Sequence, residues 1–311
     1  MVMLIDRRRF IVLSSTAAVA VPLRSLFGQT AAAPPATRFA DIRRNVGYFS
    51  GRGGTIGWLV NKEAVVVIDT QFPDTAAICL EGLKTKSGRG VDVLFNTHHH
   101  GDHTAGNGTF KPATKRIVAH SRVPALQKEA AAQPPPPNQP PPPPVVVADV
   151  TFDTTWSTDA GDEKITATHY GPGHTGGDSI IRFDRANVVH MGDLFFHQRH
   201  PFIDRPSGAS IQNWIKTLET VTKEQPADVQ YIAGHSKQDL PVLLARADLM
   251  KFRDYLDAVL SHAKRGIGQG QSKEAITALK ELPGFEGYQE APPRLTLAAA
   301  LGVAYDELTT K

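Results

Sequence analysis

The 311-residue sequence has a single cysteine, Cys79, so no intramolecular disulfide can brace the fold. Long apolar runs are also missing. The stretch Phe10 to Leu23 is fourteen residues, interrupted by Ser14, Ser15 and Thr16, and falls short of the ~20 that a membrane-spanning helix needs. There is no Gly-x-Ser-x-Gly elbow for a serine nucleophile and no glycine-rich phosphate loop ending in lysine. No internal repeat stands out. Excess charge is confined to the start of the chain. The whole sequence carries a formal net charge of +3, from 34 basic and 31 acidic residues. Residues 1–30 hold Arg7, Arg8, Arg9 and Arg24 against Asp6, which leaves 34 − 4 = 30 basic and 31 − 1 = 30 acidic residues for the remainder. A neutral body gives no support to a nucleic-acid or anionic-membrane partner.

What is present at the start is an arginine pair, Arg7-Arg8, then Arg9-Phe10-Ile11 and a weakly apolar stretch closed by Arg24. This resembles a twin-arginine export signal, with small residues at Thr30-Ala31-Ala32-Ala33 for cleavage. The resemblance implies a periplasmic protein with no stable membrane anchor after signal cleavage. A general secretory signal is the alternative. Cys79, inside Ala76-Ala77-Ile78-Cys79-Leu80, reads as core.

Beyond a linker over 31–45, the pattern predicts one domain over 46–311. Strands are expected at Gly57–Val60, Ala64–Asp69, Val91–Asn96, Arg116–Ala119, Val145–Phe152, Lys164–Tyr170, Asp178–Phe183, Asn187–His190 and Val229–Ala233. Helices are expected at Asp74–Lys86, Arg122–Ala132, Ser210–Lys223 and Leu240–Arg265, with Lys273–Leu282 and Leu295–Leu308 completing a helical C-terminal part from 240. Residues 134–144, dominated by two proline runs, read as a stiff polyproline surface insertion. Strands interspersed with helices imply an α/β layered fold.

The chemistry-bearing residues begin at Thr97-His98-His99-His100-Gly101-Asp102-His103. In an extended segment residues two apart point the same way, so His98 and His100 can share one ion. Asp102 and His103, after the Gly101 turn, can face a second. Further metal-binding types follow beside glycines at strand ends: His174 in Gly171-Pro172-Gly173-His174-Thr175-Gly176-Gly177-Asp178, Asp193 in Gly192-Asp193, and His235 in Gly234-His235. Loops at strand ends are where sites assemble.

The series His-x-His-x-Asp-His, Gly-His-Thr, Gly-Asp and Gly-His resembles the metallo-β-lactamase superfamily, from about Val46 to the C-terminus. The resemblance implies an αββα sandwich with metals at one edge of two packed sheets. By position, His98, His100 and His174 resemble the ligands of the first metal, and Asp102, His103 and His235 those of the second. Asp193 resembles the bridging carboxylate, and Asp69 the outer acid that braces the histidine loop. Imidazoles and carboxylates without thiolate suit two zinc ions, with iron or manganese as alternatives. A water held between two close cations has its pKa lowered towards ~7 and becomes a nucleophile. Asp102 is the expected catalytic residue, orienting that nucleophile and taking its proton.

The superfamily acts on β-lactams, lactones, thioesters and phosphodiesters, so the fold alone leaves the small-molecule substrate open. Many β-lactamases of this type carry Cys or Ser at the place of Asp193, and an acid there is closer to the hydroxyacylglutathione-hydrolase-like branch. The expected reaction is cleavage of an amide- or ester-type bond. A lactonase or esterase with little β-lactam turnover and a non-catalytic periplasmic metal-binding protein are the competing readings. Substrate contacts are expected from Gly51–Gly57 and from Phe195–Arg205, where His197, Arg199 and His200 are candidates.

Overall fold

A computed structural model describes residues 36–134 and 144–310. The export segment and nearly all of the proline tract lie outside the described residues. Within them, no helix is long and apolar enough to cross a membrane.

Seven strands form the first sheet in chain order: β1 (Arg38–Arg43), β2 (Val46–Ser50), β3 (Ile56–Val60), β4 (Val65–Ile68), β5 (Val93–Asn96), β6 (Ile117–His120) and β7 (Val150–Phe152). The first four are antiparallel neighbours, whereas β4 to β7 run parallel. Parallel pairing needs crossovers, supplied by the helices α1 (Pro73–Lys86), α2 (Gly101–Thr104), α3 (Asn107–Phe110) and α4 (Val123–Ala131). The second sheet contains β8 (Thr155–Ala160), β9 (Glu163–Thr168), β10 (Ile180–Phe183), β11 (Val188–His190), β13 (Gln230–Ile232) and β15 (Leu243–Leu244). A small parallel pair, β12 (Phe196–His197) with β14 (His235–Ser236), lies apart. The remaining helices are α5 (Ile211–Glu224), α6 (Arg246–Gly268), α7 (Lys273–Thr277) and α8 (Leu297–Thr309).

Alternation along β4 shows how the layers are made. Val66 and Ile68 join Leu59, Phe95, Ile165, Ile181, Phe183 and Val188 between the two sheets. Val65 and Val67 turn the other way, onto Cys79 and Leu83 of α1. A strand covered on both faces has no polar side to keep, hence the unbroken Val-Val-Val-Ile. The outer face of the second sheet packs on α5, α6 and α8 through Trp214, Leu218, Phe252, Leu256 and Leu301. The result is the αββα sandwich that the resemblance implies. Cys79 is fully buried, and burial pushes its thiol above the usual range.

Four expectations need correction, and one strand, β8, was not expected. The linker over 31–45 contains a strand, because β1 pairs with β2 along the sheet edge. The strand expected over Val145–Phe152 shrinks to β7, since the Val146 carbonyl accepts from Asn107 Nδ2 at 2.8 Å and that stretch docks on α3 instead. β8, whose half-polar sequence hides it, forms a hairpin with β9. The helix expected from Leu240 starts at Arg246: Leu243 and Leu244 first pair with β13, and Asp248 then accepts from the Ala245 amide at 3.0 Å to open α6. The helix expected over Lys273–Leu282 is reduced to α7.

Candidate metal centre

The donor side chains singled out in the sequence stand in the loops and turns that link strands of the sandwich. His98 and His100 follow β5, Asp193 follows β11, and His235 begins β14 directly after β13. His174 is in the loop between β9 and β10. Gly101 opens α2, a single helical turn, and this turn rotates Asp102 and His103 away from His98 and His100. The Thr70 amide donates to the His103 carbonyl at 2.7 Å and fixes that turn. Glycine is required where segments pass close: a Cβ on Gly54 would overlap the His103 ring, and one on Gly234 would overlap Asp193 Oδ1.

The residues singled out in the sequence fall into two sets of donor atoms, beside a third group, His99, His100 and Asp204, that shares His100. His98, His100, His174 and Asp193 form one, and Asp102, His103 and His235 the other, with the donor atoms of each set within 4.8 Å of one another. In the first, His100 Nδ1 lies 3.1 Å from His98 Nε2 and 2.9 Å from His174 Nε2. In the second, His235 Nε2 lies 3.3 Å from His103 Nε2 and 3.1 Å from Asp102 Oδ2. Asp193 stands between the sets. Its Oδ1 is 2.9 Å from His103 Nε2, and its Oδ2 is 3.4 Å from both His174 Nε2 and His235 Nε2.

The outward-facing ring nitrogens decide what the inward ones can do. His174 Nδ1 donates to the Phe202 carbonyl at 2.6 Å, and His100 Nε2 donates to Asp204 Oδ2 at 3.0 Å. His103 Nδ1 donates to Asp69 Oδ2 at 2.7 Å. The Thr97 hydroxyl donates to Asp69 Oδ2 at 2.7 Å, so its oxygen is free to accept from His98 Nδ1 at 3.0 Å. In the neutral form each of these rings then points a bare lone pair inward. Lone pairs this close repel unless a cation lies among them. When the His103 ring is neutral, Asp193 Oδ1 is buried against its bare Nε2 at 2.9 Å with no donor to meet it, which costs about 1–3 kcal/mol unless a proton or a cation neutralises it. The donor set therefore fits metal ions.

Electrostatics agree with that fit. Burial, together with His103, holds His98 well below the ordinary imidazole range, and burial lowers His174 to about 3 against the pull of Asp193. Both rings are neutral lone-pair donors at pH 7. Burial also opposes charge on His103 and His235, but there the carboxylates win. Asp193, Asp69 and Asp102 raise His103 well above its usual value, and Asp193 with Asp102 raises His235 to about 9. Burial would raise Asp193 and Asp102, yet His103 and His235 hold both acids below the ordinary carboxylate range. A buried group of carboxylates that draws positive charge this strongly is a place where cations compete with protons.

The cavity over the donors has a volume of about 300 Å³ and is lined by Asp102, Asp193, His235, Phe196, Arg199, Phe202 and Arg294, among others. The Phe195–Arg205 segment reaches it through Phe196, Arg199 and Phe202, but of the three named candidates only Arg199 does. His197 is buried, with Nδ1 turned to Ser236 Oγ at 3.1 Å and the Pro241 carbonyl at 3.0 Å. His200 is buried with Nδ1 2.7 Å from the Tyr255 hydroxyl. The Gly51–Gly57 loop fastens the site rather than lining the cavity: the Gly54 amide donates to the Asp102 carbonyl at 3.0 Å, and the Thr55 amide to that of Gly234 at 2.9 Å. Sequence reasoning missed Arg294, and within the expected Phe195–Arg205 segment it did not single out Phe202 or Asp204. Asp204 meets His100 at 3.0 Å and His99 at 3.4 Å. Its only signal was an acid within the Phe195–Arg205 loop.

A family model described as the metallo-beta-lactamase superfamily matches residues 50–235. Among solved structures, a metallo-beta-lactamase from Pontibacter korlensis aligns with a TM-score of 0.58 at 17% identity, covering 71% of this chain and 99% of that one. Metallo-beta-lactamase IND-7 aligns with a TM-score of 0.56 at 17% identity, covering 71% and 98% respectively. The stereoselective inverting sec-alkylsulfatase Pisa1 from Pseudomonas sp. gives a TM-score of 0.66 at 13% identity, covering 87% of this chain and 50% of the sulfatase. The chain thus spans half the length of that neighbour. Identities this low speak to fold alone. No curated protein matches the chain.

Proposed function

Because this chain belongs to the metallo-β-lactamase superfamily, we propose that it is a dinuclear zinc hydrolase that cleaves an amide- or ester-type bond in a small molecule. The single observation that carries this reading is Asp193, which faces both donor sets at the base of an open cavity. His98, His100 and His174 would hold one ion, Asp102, His103 and His235 the other, and Asp193 would contact both. Bound there, divalent ions supply an acidified water and polarise the target oxygen.

The protein's own residues do the rest. Asp69 and Asp204 keep the ring protons of His103 and His100 on the outward nitrogens. Trp214, 5.7 Å from His174 between ring centroids, and Phe196, stacked at 5.4 Å on His235, limit the freedom of those rings. Asp102 is the most exposed of the donor carboxylates and faces the cavity. His103 and His235 keep it ionised, so it can accept a hydrogen bond from a water and orient it.

An acid at position 193 supports a lactonase or thioesterase over a strong β-lactamase. A panel of nitrocefin, an acyl-lactone, an acyl thioester and a secondary alkyl sulfate tests the choice, with Asp102→Ala as control. The expected result is lactone or thioester turnover well above that of nitrocefin, lost in Asp102→Ala with the fold retained. Full turnover in that variant would exclude Asp102 from the reaction. Export through the Arg7-Arg8 leader is part of the proposal; recovery of mature protein in the cytoplasm alone would count against it.

A further inference from the structure

A second cavity, of about 200 Å³, lies against the turn that carries Asp102 and His103, and shares one lining residue, Gly101, with the cavity over the metal centre. Gln127 and Ala130 of α4 line it, three residues apart and hence on one face of the helix. Ala105, Val145 and Val146 supply further apolar lining, and His99 completes it. Hydrogen bonds fix these walls. The Val146 carbonyl accepts from Asn107 Nδ2 at 2.8 Å, and the Thr104 hydroxyl donates to the His100 carbonyl at 3.1 Å.

Two polar side chains in this lining are unmatched. Gln127 is only 3% exposed and His99 6%, yet Gln127 Nε2, Gln127 Oε1 and His99 Nδ1 have no hydrogen-bond partner among the described residues. Gln127 is the one amide side chain there with both ends in this state. Other buried amides are served: Gln71 donates to the Gly54 carbonyl, and Asn96 and Asn107 donate to each other's side-chain oxygens at 3.1 and 2.8 Å. Asp204 Oδ2 stands 3.4 Å from His99 Nε2 and keeps the ring proton there, so Nδ1 is an acceptor. Buried polar groups without partners are unfavourable unless something entering the cavity completes them. The unmatched atoms are two acceptors and one amino group. A primary carboxamide is their complement: its NH2 group can donate to both acceptors while its carbonyl accepts from Gln127 Nε2. A carboxylate has no donor to offer, and a hydrocarbon has neither donor nor acceptor.

We propose that this cavity is a binding site, separate from the substrate cavity, for a small molecule that carries a primary carboxamide on an apolar body. A cavity of about 150 Å³ takes up benzene, so this one admits a ring of that size together with its carboxamide. The Asn96–Asn107 pair shows two amides of this fold completing each other in the way proposed for Gln127 and the ligand. The proposal goes beyond the hydrolase reading, and its test needs no turnover.

Calorimetric titration of the full metal-loaded chain with benzamide, benzoate and toluene provides that test. Benzamide is expected to bind at least about 10-fold tighter than either of the others, the range of one to two net hydrogen bonds. Gln127→Leu is close in size but removes the amide, so it should abolish that preference and favour toluene. Ala130→Phe, at an exposed position on the edge of the cavity, should block all three ligands while the circular dichroism spectrum is unchanged. Equal affinity for the three ligands, benzamide binding that survives either variant, or no benzamide binding at millimolar concentration would each overturn the proposal.

Discussion

Asp69 Oδ2 lies 2.7 Å from His103 Nδ1 and, through the Thr97 hydroxyl, also reaches His98. One buried acid thus fixes ring orientation in both donor sets. Asp69→Asn replaces an acceptor-only carboxylate with an amide that can present a donor. Metal affinity should fall by about 10- to 100-fold, measured by competition with a chromophoric chelator, while the circular dichroism spectrum is unchanged. Unaltered affinity would show that Asp69 does not orient these rings.

Among the residues that would hold metal, Asp204 plays the corresponding part for His100 alone, so Asp204→Asn should weaken one ion more than the other. The expected outcome is a biphasic metal titration, with one site retained near wild-type affinity and one weakened by about 10-fold. Equal weakening of both sites would contradict the assignment of His100 to a single set.

Much of this was legible in the sequence. His98, His100, Asp102 and His103 are consecutive enough to be read as a unit, and His174, Asp193 and His235 each stand beside glycines at strand ends. Asp69 was visible because a carboxylate closes an otherwise apolar strand. Asp204 and Arg294 were not legible. Neither has a periodicity or motif, and each becomes meaningful only when a distant segment folds over it: His100 over Asp204, and the Gln198–Gln289 pairing beneath Arg294. β8 was missed because an edge strand with one solvated face keeps little hydrophobic signal.

Acid sensitivity should have a second source apart from metal release. His120 stacks on His169 with ring centroids 3.9 Å apart, and burial and that neighbour lower His120 to about 4. Burial lowers His169 as well. In the unfolded chain both titrate near ~6.5. Between that value and about 4 the unfolded chain therefore takes up protons that the folded chain refuses, and stability falls as pH drops through this window. His120→Phe should show a smaller fall in urea midpoint between pH 7.5 and 5, with chelator present in both samples. An identical fall would contradict the lowered value.

Glu307 of α8 caps α5. Its carboxylate accepts from Ser210 Oγ at 2.9 Å and from the amides of Ile211 and Gln212 at 2.8 and 3.1 Å. An acid at a helix N-terminus meets unpaired amides and the positive end of the dipole. Glu307→Ala should destabilise the protein by about 1–2 kcal/mol, visible as a drop of several degrees in Tm. No change in Tm would mean that the C-terminal helix is held by its apolar face alone.

The central claim is that Asp193 joins two metal sites into one hydrolytic centre. Chelator-stripped protein titrated with zinc, with bound metal and lactone turnover followed in the same samples, tests it most directly. Two ions are expected to bind per chain, with turnover, absent at the start, complete only near the second equivalent. Saturation at a single ion, or full turnover in the stripped protein, would contradict it.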